Sequence, residues 1–368
     1  MIHRSIPVLV CLLLIVMPGI DGLQTQHASF IRQQTQMGTG RGGSPGVAPP
    51  LGWQKRNPAH NAAPTPVKGG QQPSAMQRWQ ALETRLFQSE FQQIPIMAAL
   101  LAEDLRLYPD PDIYQNINGL LMQPELSLAI KAILLDFLSE TATPEALSQL
   151  LDLAKQELQS SLYILVLQAI SRIGDNRWHG QFHEELSPAL ETAWTDPEAT
   201  DPALLAALGK AIAVVGAPEG VGQLLLTVSG STKNTEPEAT NRIKQEVAFK
   251  AVPQVRNPAA VKVLGASLRQ EPVGAPAFEA SGNALAAMSS VAATQQIADW
   301  AKDAPPEGAR NLEGWLGKID DEQALAPISA AQNQSTQSPE IKMVIHKAAA
   351  NRDNLNGALS AASVIEKN

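Results

Sequence analysis

The chain has 368 residues, 44% of them apolar, with 28 Lys and Arg against 36 Asp and Glu for a net charge of −8. Its single cysteine, Cys11, excludes a disulfide framework and a zinc site built on several cysteines. The uneven placement of charge along the chain excludes more, as the segments show in order.

Residues 1–22 carry a basic start at Arg4 and an apolar run from Ile6 to Ile20, broken by Pro18 and Gly19, which reads as an export signal. The run is shorter than the roughly 20 apolar residues of a membrane helix, although an uncleaved anchor is the alternative. Cys11 lies inside the run, behind the bulky Leu9 and Val10, which suits neither acylation nor a role in a cleaved chain. Residues 23–74 are rich in Gln, Gly, Pro, Ala and Asn without periodicity, a composition that buries too little apolar surface to offset chain entropy. They read as a disordered linker with a root-mean-square span of roughly 40 Å.

The linker's only charges are Arg32, Arg41, Lys55, Arg56 and Lys68, and the first 22 residues are neutral. Taking that +5 from the total of −8 leaves −13 for residues 75–368. A folded body so acidic argues against nucleic acid, which needs clustered Lys and Arg to displace counterions. The sparse basic linker suits a solvated tether better than a lipid-binding cluster, while placing membrane proximity within reach of the N-terminal segment.

From Ala75 the apolar residues fall at helical spacing. Residues 75–124 read as an N-terminal helical cap, with helices divided at Pro95 and ended at the Pro109 to Pro111 pair. Residues 125–368 then repeat a unit whose clearest copy is AIAVVGAPEGVGQLLLTV, residues 211–228. A small-residue column runs through Ala132, Ala169, Ala211, Ala251, Ala284 and Ala348, with Trp315 filling the long last gap. A recurrence of this length is the mark of stacked helical hairpins. Second helices start alike at Thr143-Pro144, Ala217-Pro218 and Asn257-Pro258, a capping residue followed by Pro at the first helical position. Their apolar stripes keep phase through Leu147, Leu150 and Leu151, through Val221, Leu224 and Leu225, and through Val261, Leu264 and Leu268. The polar stretch 229–241 reads as a loop on the rim of the array or a tolerated insertion.

The strings ISRIGD, IAVVGAPEGVGQLL and VPQVRNPAAVKVL resemble HEAT-type repeats, particularly the short HEAT-like units of phycobilisome lyases. The resemblance covers roughly residues 125–365 and implies an all-α fold, a right-handed α-α superhelix. It implies little about function, since one scaffold serves many roles. The basic residue common in the first helix of such units has a clear counterpart only at Lys342.

Among candidate sites, WHGQFHEE, residues 178–185, sets His179 and His183 one helical turn apart, a spacing that can hold a transition metal. It lacks a third ligand and the Glu position of zinc proteases, so incidental surface histidines are the simpler reading. No nucleophile elbow, phosphate loop or cofactor motif is present, and no catalytic residue is assigned. Second helices of solenoids commonly line a concave recognition face. Aligning them sets Gln223, Lys262, Arg269, Gln295, Asp299 and Trp300 outside the core stripe. Trp300 stands in a column with Thr227 and Ser267, either as an exposed anchor or, if the helix is rotated, as a plug between repeats. Trp178 and Trp194 read as packing of the long unit between Ala169 and Ala211.

These features point to an exported, periplasmic or envelope-associated scaffold or adaptor that binds a protein or peptide and is not an enzyme. A small-ligand or metal-dependent enzyme, a lyase or hydrolase on the same scaffold, and a self-assembling element are the alternatives.

Overall fold

The computed structural model describes residues 73–88, 93–156, 158–175, 183–231, 237–321, 323–331 and 338–350, all within the compact unit Gly70–Asn368. The signal and linker readings for residues 1–72 lie outside the described residues. The fold is all-α, and no strand occurs among the described residues. No helix among them is long and apolar enough to cross a membrane.

Helix α1 (Ala75–Phe87) begins at Ser74, whose side chain accepts from the Gln77 amide while the Gln77 side chain returns the bond to the Ser74 amide. This reciprocal cap satisfies two otherwise orphaned donors at the start of the array. Seven hairpins follow. Their first helices are α2 (Ile94–Leu107), α4 (Leu128–Thr141), α6 (Ser160–Arg172), α8 (Pro202–Val215), α10 (Glu238–Ala251), α12 (Pro276–Met288) and α14 (Ala309–Leu316). Their second helices are α3 (Pro111–Leu121), α5 (Pro144–Ala154), α7 (Ser187–Thr195), α9 (Pro218–Val228), α11 (Val261–Gln270), α13 (Val291–Ala301) and α15 (Ala326–Ala331). A last helix, α16, covers 339–350.

Each first helix packs on the next first helix, from α2 through α14. The second helices do the same from α3 to α5 and from α7 through α15. Two rows of helices packed on neighbours make a solenoid of helical hairpins. The stacking begins at α2, one hairpin before the start that the repeat spacing alone suggests.

The turn between rows is built the same way three times. Ala142, Gly216 and Ser289 each follow a first helix with φ of 52°, 62° and 44°. This left-handed residue ends the helix, and the next residue caps the second one. Thr143 accepts from the Ala146 amide and Ser290 from the Ala293 amide. Asn257, in the equivalent place after a 3-10 turn, accepts from the Ala259 amide at 2.9 Å.

Counting back five residues from the left-handed position gives Phe137, Ala211 and Ala284, all buried. Gly174 and Ala169 stand in the same relation, and Ala251 stands likewise before Arg256. Ala132 is therefore out of phase with the column by five residues and is only half-buried, because Phe137 occupies its place. Trp315 is buried, as a plug rather than a small residue.

Polar bonds join successive hairpins. Arg106 on α2 donates to the Thr141 and Glu140 carbonyls at the end of α4, where a cation also suits the helix dipole. Tyr114 on α3 and Thr143 share a buried hydroxyl bond of 2.8 Å. Tyr163 on α6 donates to Asp201, the cap of α8. Asn257 donates to the Val215 carbonyl at 2.9 Å and to Glu184 at 3.2 Å, linking three hairpins through one buried amide.

Candidate functional site

The start of each second helix sets the direction of its side chains. Ten residues after the caps Thr143, Ala217, Asn257 and Ser290 stand Leu153, Thr227, Ser267 and Trp300. This column points between the rows. Thr227 accepts from the Trp194 indole at 3.4 Å, and the Ser281 hydroxyl donates to Ser267 at 3.0 Å.

Trp300 is 7% exposed, which corrects the expectation of an exposed anchor. Its ring lies 5.3 Å from Phe278 and 5.3 Å from Trp315, edge to face. Gly308 clears the space, since a Cβ there would come within 2.7 Å of the indole. The helix is rotated so that Trp300 plugs the gap between hairpins. Trp194 is also buried, stacked near Gly209, whereas Trp178 lies outside the described residues.

The other second-row candidates do share a face. Lys262 and Gln295 stand five residues after their caps and are exposed. Asp299 stands nine after its cap and is half-buried. Lys155, Ser229, Arg269 and Lys302 stand twelve after theirs, at the helix ends. Gln223 differs: six residues after its cap, it is half-buried in the column that meets the neighbouring hairpin, with Val263 and Gln296.

Hydrogen bonds weld part of this face into a strip. Arg269 donates to the Gln296 side chain at 2.8 Å, crossing from α11 to α13. Gln296 can lie there because Gly265 beneath it has no side chain; a Cβ would sit 2.1 Å from the Gln296 oxygen. Asp299 accepts from Lys302 at 2.6 Å and from Gln295 at 2.9 Å. Partial burial pushes the Asp299 carboxyl up, but bonds from Lys302 and Gln295 and the nearby charges of Lys302 and Arg269 outweigh it and hold it below its ordinary value. Ser229 donates to Glu271 at 2.8 Å, extending the strip to α9. Leu226 and Val291, both about half exposed at 51% and 52%, lie one turn before Ser229 and Gln295.

Such half-exposed ion pairs contribute about 0.2–1 kcal/mol each, so the strip adds little to folding. Gln296, Lys302 and Glu271 were not singled out from the sequence. Lys302 was legible as the cation three residues after Asp299, and Gln296 only through Gly265 on another helix.

His183 sits ahead of the short 3-10 turn Glu184–Leu186, its Nδ1 3.2 Å from the Glu185 carboxylate. His179 lies outside the described residues. No group of three His, Cys, Asp or Glu side chains able to hold a metal occurs among the described residues.

No family model matches the chain, and no curated protein matches it. Among solved structures it is similar to human deoxyhypusine hydroxylase in complex with glycerol, at 17% identity and a TM-score of 0.26, over 76% of this chain and 98% of that one. A likeness of that size carries no argument about activity. The helical-repeat fold stands on the chain's own geometry.

Proposed function

We propose that the chain is an exported scaffold or adaptor of the HEAT-like type that holds a protein or peptide against its second-row helices. The observation that supports this reading is the strip running from Ser229 and Glu271 through Arg269 and Gln296 to Gln295, Asp299 and Lys302, which crosses three hairpins at exposed and half-exposed positions. Its cations at the helix ends suit carboxylates or backbone carbonyls of an extended segment, and Leu226 and Val291 offer apolar contacts beside them. In this reading residues 1–22 direct export and residues 23–74 act as a tether that gives the array reach from the membrane side. No cofactor takes part.

The test is crosslinked capture from a native envelope extract, using the wild-type chain beside an Arg269→Glu/Lys302→Glu variant whose helical spectrum is unchanged. A stoichiometric protein partner present with wild type and lost with the variant supports the reading. A partner retained by the variant removes this strip from the site. Capture of none shifts the reading to a small ligand or self-assembly.

A further inference from the structure

The two rows of the array differ at one junction. Second helices pack on one another from α3 to α5 and from α7 through α15, but α5 does not pack along α7 among the described residues. Instead α5 meets the 3-10 turn Glu184–Leu186 ahead of α7. Helix α7 also sits away from its own hairpin partner: it packs on α8 and α9 rather than along α6, whereas α6 packs on α4 and α5. The array thus divides into two bodies, α1–α6 and α7–α16, whose extended contact is that of α6 with α8.

This contact is held at both ends. At the start of α6, Tyr163 donates to Asp201, which caps α8. Past the other end, Gly174 lies so close to the end of α8 that a Cβ on it would come within 2.6 Å of the Val215 side chain. Across the second row, by contrast, Lys155 and Asp196, the residues just past α5 and α7, face each other at 3.9 Å with side chains 62% and 32% exposed. An ion pair that exposed is weak and is screened by salt. Since a solenoid is held by its nearest-neighbour interfaces, a junction that lacks one of its two rows yields before the others.

We propose that this junction is a hinge, in which the bodies α1–α6 and α7–α16 rotate about the line of contact between α6 and α8, with Lys155 and Asp196 as a latch across the second row. The strip from Ser229 to Lys302 lies wholly on the second body, so the motion changes how the first body stands to it while leaving its bonds intact. The hinge does not depend on what the strip binds and would stand if the protein-binding reading fell.

The test is pulsed electron-spin resonance on the full chain carrying Cys11→Ser, with spin labels at Ser148→Cys and Thr192→Cys, exposed positions on α5 and α7. A control pair at Glu219→Cys and Lys262→Cys, exposed on α9 and α11, reports a junction where the second row is continuous. The first pair should give a distance distribution about twofold wider than the control, or more. Lys155→Ala, or salt near about 1 M, should shift the first pair to longer distances and leave the control in place. A first pair as narrow as the control overturns the hinge. A control that widens and shifts along with the first pair overturns its localisation, because the whole array then yields alike. A wide first pair that neither salt nor Lys155→Ala moves overturns the latch. An unchanged helical spectrum and an unchanged control distribution in Lys155→Ala guard against reading a misfolded variant as an opened joint.

Discussion

Trp315 lies directly over Gly282: a Cβ built on Gly282 would meet the indole at 2.0 Å. Phe278, one turn earlier on α12, holds the same ring at 5.2 Å, and Trp300 closes the cluster from α13. Three aromatic rings from three helices thus meet where Gly282 leaves room for Trp315 and Gly308 leaves room for Trp300. Gly282→Ala should destabilise the chain by about 1–3 kcal/mol through overpacking, although Ala has the higher helix propensity. Trp300→Ala, by contrast, leaves a cavity and should cost about 3–5 kcal/mol. Thermal melts check both. If Trp300→Ala left the melting temperature unchanged, the plug would not be structural.

The left-handed turn residues make a paired prediction. Ala142 adopts φ 52° where Gly216 adopts φ 62° in the equivalent turn. An L residue in this region costs about 1–2 kcal/mol, so Ala142→Gly should raise stability by a good part of that. Gly216→Ala should do the reverse and by more, because its new Cβ would also sit 2.6 Å from the Asn257 Cβ. Urea denaturation of the two variants, read as opposite shifts in midpoint at unchanged slope, decides the matter.

Asn257 separates capping from bridging. Asn257→Asp keeps the acceptor for the Ala259 amide but loses the donors to the Val215 carbonyl and Glu184, and places a negative charge beside Glu184. We expect it to be at least as destabilising as Asn257→Ala, in the range of about 1–3 kcal/mol for leaving buried groups unpaired. Were the cap the dominant contribution, Asp would instead be nearly neutral, since Asp caps helices as well as Asn.

Two tyrosines predict an alkaline transition. Burial pushes Tyr114 up to about 12, against a smaller opposing effect of its bond to Thr143. Burial, with the bond to Asp201 adding to it, also pushes Tyr163 up to about 12. Because the folded values lie above the unfolded value of about 10, the stabilisation is complete below pH 10. It is lost as pH rises through about 12. Tyr114→Phe should flatten this loss while costing a hydrogen bond at neutral pH. Stability measured from pH 8 upward, with phenolate absorbance followed in parallel, gives the test; ionisation of Tyr114 at its ordinary value in the folded chain would refute it.

Much of the fold was legible because local chemistry decides it. Thr143-Pro144 and Asn257-Pro258 start helices by bonds within three residues, and the apolar stripes follow from the helical period. The small-residue column was read correctly from Ala169 to Ala284, and misplaced at Ala132 because Phe137 fills the equivalent space with a large side chain. The rotation of α13 was the harder matter. Trp300 turns inward because Gly282 and Gly308, on other helices, open room for the aromatic cluster, and no local pattern announces that. A hint did exist: Leu153 holds the same place in the second hairpin and is plainly a core residue. The face bearing Lys262, Arg269, Gln295 and Asp299 was legible from the stripe it opposes, whereas the bond joining Arg269 to Gln296 depends on the close approach at Gly265.

Because each helix packs on its neighbours in its own row and in the facing row, contacts among the described residues run between adjacent hairpins rather than from one end of the array to the other. Small slips between adjacent hairpins can therefore accumulate along the chain at little energetic cost per junction. Pulled from its ends, such a molecule stretches as a spring does, and it can tighten or relax without breaking any one layer of its core.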